Sequence, residues 1–392
     1  MIYMDNAATT YVKKEVLEAM LPYYGEKYGN PSSIYEFGAE NKKAVDNARS
    51  IIAKTINADD NEIYFTSGGT EADNWALRNA AQNYKDKGKH IITSKIEHHA
   101  IMNTCKYLEQ KGFEITYLNV DEYGMINRYE LLKSIRDDTI LISIMFANNE
   151  IGTIEPVCEI GQIARNKGVL FHTDAVQAYC HVPIDVKKLN IDMLSASSHK
   201  IHGPKGIGFL YVRDGIKLSP LMFGGGQERH MRAGTENVPG IVGMAKAAQV
   251  EHKHLPENMH KQARVRDYLV GRILSEIPFS RLNGSRTKRL PGNASFSFQF
   301  VDGNSLLVML DMEGICASSG SACTASEASL SHVLKAMGVP ESVAYGTLRL
   351  TVSAETTFEE VDKTVEAVKK IVFELRKKSD EYKMITKRNN WR

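Results

Sequence analysis

The sequence carries almost no net charge, because 49 basic residues oppose 47 acidic ones and leave a formal charge of +2 on 392 residues. Proteins that bind nucleic acids or anionic membranes through their surface field concentrate basic residues, and this composition has no such excess. We therefore expect neither a nucleic acid nor a membrane as partner. A small molecule is the expected substrate.

Long apolar segments are also missing, since no run approaches the roughly 20 residues that a transmembrane helix requires. Asp5 and Asn6 follow Met1 to Met4 at once, whereas a secretory signal has a basic segment and then a long apolar one. Neither low complexity nor a repeat period is present. These absences predict a cytoplasmic globular protein.

Cysteine is scarce. The five cysteines are odd in number and have no Cys-x-x-Cys spacing, which argues against a disulfide framework and against a zinc site. We expect no metal, and any cysteine with a function must act as a thiol. We expect four of the five, Cys105, Cys158, Cys180 and Cys316, to lie in the core.

The length favours two hydrophobic cores over one. Between about residues 60 and 213, short β-rich runs alternate with helical patterns, which predicts an α/β fold with a mostly parallel, doubly covered sheet. One intervening helix has Pro156 at its start and Gly168 just past its end. The predicted strands are Ile63 to Thr66, His90 to Ser94, Glu114 to Asn119, Leu141 to Ala147, Val169 to Thr173, Met193 to Ala196 and Gly208 to Val212.

After about residue 255 the pattern changes, which predicts a smaller α+β domain. Polar and basic residues dominate the C-terminal run from Arg376 to Arg392, which indicates a solvated helix end or tail. The predicted elements of this part are a helix from Lys261 to Ile277, a strand from Ala294 to Phe300, a helix from Ser305 to Glu313 and a Ser/Gly-rich stretch from Ala317 to Ser326.

A glycine turn joins the first predicted strand to a helix that begins near Thr70. Its residues are Ser67, Gly68, Gly69, Thr70 and Glu71. Glycines let backbone N–H groups approach an anion, and a helix start adds about half a positive charge, so a phosphate would fit. A tight turn capped by Thr70 requires the same residues and is at least as good an explanation on its own.

Two charged residues follow neighbouring predicted strands. Asp174 comes directly after Thr173, and Lys200 follows the strand that begins at Met193. An acid at a strand end is more often a helix cap, and most lysines are solvated. A lysine that leaves a core strand beside Ser197 and His199 is, however, typical of an amine that forms a Schiff base.

Together these features match the three attachments that pyridoxal 5′-phosphate requires. Lys200 suits the aldehyde, Asp174 the pyridine nitrogen, and the Gly69–Thr70 turn the phosphate. Ligands of such sheets bind at the carboxyl ends of the strands, where all three groups are expected.

The chain closely resembles the NifS/IscS-type cysteine desulfurases of the class V, fold type I aminotransferase superfamily. The resemblance spans nearly the whole chain and implies a large, mostly parallel seven-stranded sheet domain at 14–256. A smaller α+β domain would comprise 1–13 and 257–392. The motifs that carry the resemblance are Tyr3 to Thr10, Tyr28 to Ser33, Glu97 to Ala100, Asn148 to Gly152, Asp174 to Gln177, His199 to Gly206, Arg232 to Asn237 and Ser318 to Thr324.

Residue roles follow from the resemblance, position by position. It implies that Lys200 carries the cofactor and that His98 stacks on its ring and transfers protons. Thr235 would reach the phosphate of a neighbouring subunit, which implies a homodimer. The remaining implied roles are ring binding by Asp174 and Gln177, phosphate binding by Gly69, Thr70, Ser197 and His199, and substrate carboxylate binding by Asn149 and Arg349.

Cys323 lies among Ser, Gly, Ala and Thr, with few side chains to pack around it, so we expect an exposed and mobile thiol. By resemblance, L-cysteine is the substrate. Lys200 would remove its α-proton, the Cys323 thiolate would take its sulfur as a persulfide, and alanine would leave. The persulfide sulfur would then pass to an acceptor protein, such as an iron–sulfur cluster scaffold.

Two alternatives remain open at this point. A selenocysteine lyase or a small aminotransferase would use the same cofactor without needing Cys323. A scaffold or regulatory subunit with an inert pyridoxal fold would not bind the cofactor through Lys200.

Overall fold

The structure is a computed structural model and describes residues 1–319 and 330–389. Cys323 therefore lies outside the described residues. The strands are β1 (Ile2–Tyr3), β2 (Ile63–Thr66), β3 (His90–Ser94), β4 (Glu114–Leu118), β5 (Thr139–Ser143), β6 (Leu170–Asp174), β7 (Met193–Ser197), β8 (Gly208–Val212), β9 (Ser280–Asn283), β10 (Asn293–Phe298), β11 (Ile315–Cys316) and β12 (Thr347–Thr351).

The helices alternate with these strands in the first half of the chain and surround the smaller sheet in the second. They are α1 (Lys14–Met20), α2 (Pro22–Gly25), α3 (Glu36–Thr55), α4 (Gly69–Tyr84), α5 (His99–Glu109), α6 (Arg128–Ser134), α7 (Val157–Lys167), α8 (Val238–Lys253), α9 (Leu255–Glu276), α10 (Gly303–Met312), α11 (His332–Ala336), α12 (Glu341–Ala344), α13 (Phe358–Lys378) and α14 (Asp380–Asn389).

Seven strands form the large sheet in the order β2-β8-β7-β6-β5-β3-β4. The pairs from β4 to β7 are parallel, and β8 runs antiparallel to both of its neighbours. This arrangement confirms the predicted α/β fold. Strand β5 ends at Ser143, earlier than predicted, although the next residues stay beside β6 through separate hydrogen bonds, such as that from the Phe146 N–H to the Asp174 carbonyl at 2.8 Å.

Helices cover both faces of this sheet. Successive side chains of a strand point to opposite faces, so neighbouring residues pack against different helices. Ile91, Leu141 and Met193 pack in one cluster with residues of α4 and α5. The next residue of each strand, Ile92, Ile142 and Leu194, packs in the cluster on the opposite face with residues of α3, α7 and α8. Two apolar faces on every central strand explain why the strand sequences are nearly continuous hydrophobic runs.

Helix α7 illustrates how local signals fix an element. Pro156 precedes its first residue and Gly168 ends it at a φ of 62°, a left-handed conformation that glycine adopts without the steric cost of a Cβ atom. Both predicted end signals are confirmed. Helix α9, by contrast, begins at Leu255 and not near Lys261, with a proline in its first turn.

The C-terminal part contains the antiparallel sheet β12-β10-β9, covered by α9, α10 and α13. The chain's start joins it, because β1 pairs with β11 and Met4 lies in the same buried cluster as Phe296 and Leu348. The domain boundaries given above stay predictions.

Two expectations about single side chains were wrong. Cys158 is exposed on α7, although Cys105 and Cys180 are buried as expected; Cys316 is half-buried. Arg376 is fully buried near the end of α13, where its Nε donates to the carbonyl of Gln299 at 3.1 Å. A basic side chain here satisfies a buried carbonyl, which composition alone does not reveal.

Candidate active site

A cavity of about 310 Å³ lies between the carboxyl end of the large sheet, the N-terminal segment and β12. Among the described residues, all predicted site residues except Thr235 line it. They are Gly69, Thr70, His98, Asn149, Asp174, Gln177, Ser197, His199, Lys200 and Arg349.

Neighbouring strand ends supply the centre of this cavity. Asp174 is the last residue of β6, and Ser197 is the last residue of β7. A single 3-10 turn, Ser198–Lys200, follows β7 directly and carries Lys200 to the same edge. Parallel strands end at the same side of a sheet, so their terminal side chains converge there.

The N-terminal segment holds the Lys200 amine. Its Nζ donates to the carbonyl oxygens of Ala7 at 2.6 Å and Ala8 at 2.7 Å. The Gln177 side chain donates to the same Ala7 carbonyl at 3.0 Å. Residues far apart in sequence therefore fix the position of one amine at the floor of the cavity.

Asp174 is buried, and its Oδ1 accepts the backbone N–H of Val176 at 2.9 Å. Burial raises the pKa of the Asp174 carboxyl, while the nearby His98, the Val176 N–H and Lys200 act in the opposite direction. The group is thus an acid whose charge depends on the positive groups around it.

The start of α4 forms a positive wall of the cavity close to these residues. A Cβ atom on Gly69 would lie 2.5 Å from Cγ2 of Val176, so only glycine allows the turn to approach the residues after Asp174 this closely. The helix is 16 residues long, and its first backbone N–H groups have no intrahelical acceptor. This wall suits a bound anion.

His199 stands near this wall, and its Nδ1 lies 3.2 Å from Oγ1 of Thr9. Burial, followed by the charges of Lys200 and Lys205, lowers the pKa of His199 to about 4. The imidazole is therefore neutral at neutral pH and acts there as a hydrogen-bonding group.

His98 precedes α5 and caps it, because its Nδ1 accepts the Ala100 N–H at 3.2 Å. One of its ring nitrogens and one oxygen each of Asp73 and Asp174 lie within 4.8 Å of one another. Because Nδ1 accepts this hydrogen bond from Ala100, Nε2 is the ring nitrogen that carries the proton in the neutral imidazole. The expectation that no metal is bound stays a prediction.

Arg349 approaches the cavity from the small sheet, in the middle of β12. Its Nη2 forms an ion pair with Asp5 at 2.9 Å, and its Nη1 donates to the Asn149 carbonyl at 3.0 Å. Its buried Nε has no hydrogen-bond partner among the described residues. A fixed guanidinium with a donor to spare suits a carboxylate.

Thr235 does not share the main cavity. It is exposed and lines a smaller cavity of about 70 Å³ with Ser67 and Arg232. Arg232 in turn pairs with Glu71 of α4 at 2.8 Å. The two cavities thus lie on either side of the same glycine turn.

Three acids at the cavity were not predicted from the sequence, and two of them, Asp73 and Glu150, are buried. Asp73 and Glu150 line it, and Asp5 holds Arg349. Asp73 follows Thr70 by one helical turn, which is a signal that could have placed it at the same wall. Asp5 and Glu150 lie within recognised motifs, but their contacts join distant parts of the chain.

Comparisons with known proteins agree with this geometry. Residues 2–364 match the aminotransferase class-V family. A relative from Methanosarcina thermophila named cysteine desulfurase IscS is 56% identical over 378 residues, which are 96% of this chain and 93% of that protein.

Solved structures with the same fold include relatives of the NifS type. A NifS-like protein is 40% identical with a TM-score of 0.89, and the match covers 95% of this chain and 99% of that one. A structure described as SspA in complex with cysteine is 38% identical with a TM-score of 0.81, covering 91% and 100%. In the described residues, the longest helices are too polar to cross a bilayer. The chain therefore belongs to the class-V aminotransferase family, and within it to the cysteine desulfurases.

Proposed function

We propose that this cysteine desulfurase works with pyridoxal 5′-phosphate and converts L-cysteine to L-alanine, while the sulfur atom passes to Cys323 as a persulfide. The observation that carries the proposal is that Lys200, Asp174 and the start of α4 face one cavity of about 310 Å³. These are the groups that an aldehyde, a pyridine nitrogen and a phosphate require.

The residues present fit this cofactor. Gly69 and Thr70 offer free N–H groups to the phosphate, and Ser197 and the neutral His199 add hydrogen-bonding groups. Gln177 would hold the ring hydroxyl, and Asp174 the ring nitrogen. When bound, pyridoxal 5′-phosphate withdraws electrons from the α-carbon of the substrate.

The substrate is recognised on the side of the cavity that faces the small sheet. Arg349 and Asn149 bind the cysteine carboxylate, which explains the buried Nε of Arg349 that lacks a partner among the described residues. Lys200 then removes the α-proton, since its amine is held at the floor of the cavity by the Ala7 and Ala8 carbonyls. His98, close to Asp174, would carry protons to the departing product.

Sulfur transfer requires no external oxidant. The Cys323 thiolate attacks the substrate sulfur, a sulfur–sulfur bond forms, and the carbon–sulfur bond breaks. The electron pair of the broken bond stays with the carbon, which takes up a proton and leaves as alanine. Atoms balance, because the thiol and cysteine together give the persulfide and alanine.

Partners of this reaction follow from kinship with the IscS proteins. An iron–sulfur scaffold is the proposed persulfide acceptor, and the cytoplasm the proposed location. A homodimer with Thr235 at the phosphate of the partner subunit is supported by the exposure of Thr235 beside the glycine turn.

The proposal is tested by alanine release from L-cysteine in the wild type, in Cys323→Ser and in Cys158→Ser. Cys158 is the matched control, because it is an exposed cysteine outside the cavity. We expect the first variant to form neither persulfide nor alanine at an appreciable rate, and the second to behave as the wild type. Full turnover by Cys323→Ser would instead favour a lyase or an aminotransferase.

A further inference from the structure

A second buried carboxyl group, that of Asp73, faces the cavity beside Asp174. Asp73 belongs to α4, and only 1% of its surface is exposed. One oxygen of each carboxyl and a ring nitrogen of His98 lie within 4.8 Å of one another. Two carboxyls this close and this buried cannot both hold a full charge without strong repulsion.

Apart from His98, which lies near both carboxyls, the groups named around Asp73 are neutral or acidic. Its carboxyl hydrogen-bonds with Ser195, and the Nε2 of His172 lies 3.0 Å from the Ser195 hydroxyl and 3.7 Å from Oδ1 of Asp73. Burial lowers the pKa of His172 to about 3, so its imidazole supplies no positive charge. Glu97, which is also buried, adds another acid that raises the pKa of Asp73.

Asp174 has more favourable neighbours for a negative charge. It accepts the Val176 N–H at 2.9 Å, and His98 and Lys200 lower the pKa of its carboxyl against the effect of burial. Burial and then the charge of Asp174 hold the pKa of Asp73 well above its usual range. The two environments separate the acids, which is how neighbouring carboxyls acquire different roles.

We propose that Asp73 is a positioning residue that carries a proton, so that the negative charge of the pair rests on Asp174 opposite the ring nitrogen of the cofactor. This inference rests on the proposed function, because that function assigns the ring nitrogen to Asp174. A charged Asp73 would compete with Asp174 for the positive ring, whereas a protonated Asp73 leaves a single, directed attraction. Its Oδ1, buried and without a hydrogen-bond partner among the described residues, faces the same space.

Infrared difference spectroscopy of the apoprotein tests the protonation directly. We expect the wild type minus Asp73→Asn difference at neutral pH to contain a carboxylic acid band and no carboxylate band. Pyridoxal 5′-phosphate should shift this acid band. Loss of a carboxylate band, or an acid band that the cofactor leaves unmoved, would overturn the proposal.

Glu155→Gln is the matched control. Glu155 is also buried, and burial holds its pKa well above the usual range, but it does not line the cavity. This variant should lose an acid band that the cofactor does not move. The cofactor's dissociation constant should change less than about threefold in Asp73→Asn, whose amide is neutral, and rise at least about tenfold in Asp174→Asn.

Two further measurements keep the outcome clear. If Asp73→Asn does not fold, the wild type prepared with isotope-labelled aspartate must still show an aspartic acid band that responds to the cofactor, and its absence would refute the proposal. A wild type that never binds pyridoxal 5′-phosphate refutes the proposed function instead, while the acid band of its apoprotein still reports on Asp73.

Discussion

The two sheets contribute to the cavity in different ways. The large sheet supplies several groups from neighbouring strand ends, including Asp174, Ser197 and Lys200. The small sheet supplies Arg349 from the middle of β12. The residues proposed for the chemistry therefore lie where strands end, whereas the residue proposed to bind the substrate carboxylate lies in the middle of a strand.

The means of holding the two cations also differ. Neutral carbonyls of Ala7 and Ala8 accept the Lys200 amine, whereas a carboxylate, Asp5, pairs with Arg349. An amine that must lose and regain protons benefits from neutral acceptors, because a close carboxylate would keep it charged. A guanidinium that only recognises a carboxylate can be fixed by an ion pair.

Lys200→Ala should produce the largest effect, since it removes the proposed general base from the large-sheet wall, which is the side of the cavity formed by Asp174, Ser197 and Lys200. We expect alanine formation from cysteine to fall by at least about 10³-fold, as is usual for a lost general base. Lys205→Ala is the control, because Lys205 is exposed in the next turn. Steady-state assays would measure alanine formation by both variants. If Lys200→Ala kept most of its activity, the contrast between a catalytic large-sheet side and a substrate-binding small-sheet side would fail.

Arg349→Gln should have the second largest effect on the reaction, through the side of the cavity that the small sheet supplies. Loss of a charge-assisted pair with the substrate carboxylate should raise KM for cysteine about 10- to 100-fold, with a smaller change in kcat. Arg281→Gln in β9 of the same sheet serves as control, because Arg281 does not line the cavity. A fall in kcat at constant KM would assign Arg349 to the chemistry instead.

His172 tests whether the groups buried behind the large-sheet wall are neutral in the folded protein. Its pKa is lowered from 6.5 to about 3 by burial, so the unfolded chain binds a proton that the native protein does not. Stability from this group is present above about pH 6.5 and is lost as the pH falls towards about 3, at about 1.4 kcal/mol per pH unit. Urea unfolding at several pH values should show a shallower acid slope in His172→Gln.

The exposed His254 provides the surface control for this slope, as His254→Gln removes an imidazole without altering the buried network. Identical acid slopes in the wild type and in His172→Gln would mean that the native protein does take up a proton at His172.

Asp5→Asn should have the smallest effect. The single amide oxygen can accept the hydrogen bond from Arg349 or the one from Ser318, which reach different oxygens of Asp5, and the amide forms no ion pair. Because the pair is only partly exposed, we expect KM for cysteine to rise about three- to tenfold. Titration with L-alanine as a non-reacting ligand should show the same loss, and an unchanged affinity would remove Asp5 from the recognition of the carboxylate.

Most of the large-sheet wall could be predicted from sequence. Asp174 and Lys200 directly follow apolar strand cores, and parallel strand ends converge at one edge, so linear order was enough to bring them together. Gly69 and Thr70 carried a turn signal that the structure explains by the close approach of Val176. The family resemblance then added Gln177, His98 and Arg349.

Long-range contacts could not be predicted in the same way. The pairing of Asp5 with Arg349 joins positions at opposite ends of the chain, and Asp73 reaches Asp174 only because α4 packs on β6 and β7. Helix orientation also decided the two wrong expectations, since Cys158 faces solvent and Arg376 faces a buried carbonyl. Which side of a helix is covered depends on its partners.

The most direct test of the central claim is the covalent attachment of the cofactor at Lys200. Purified protein would be saturated with pyridoxal 5′-phosphate, reduced with borohydride, digested, and mapped by mass spectrometry. The peptide containing Lys200 should carry the reduced pyridoxyl group, and Lys200→Ala should carry none at that position. A colourless wild type, or a label on another lysine while Lys200 stays unmodified, would contradict the proposed site.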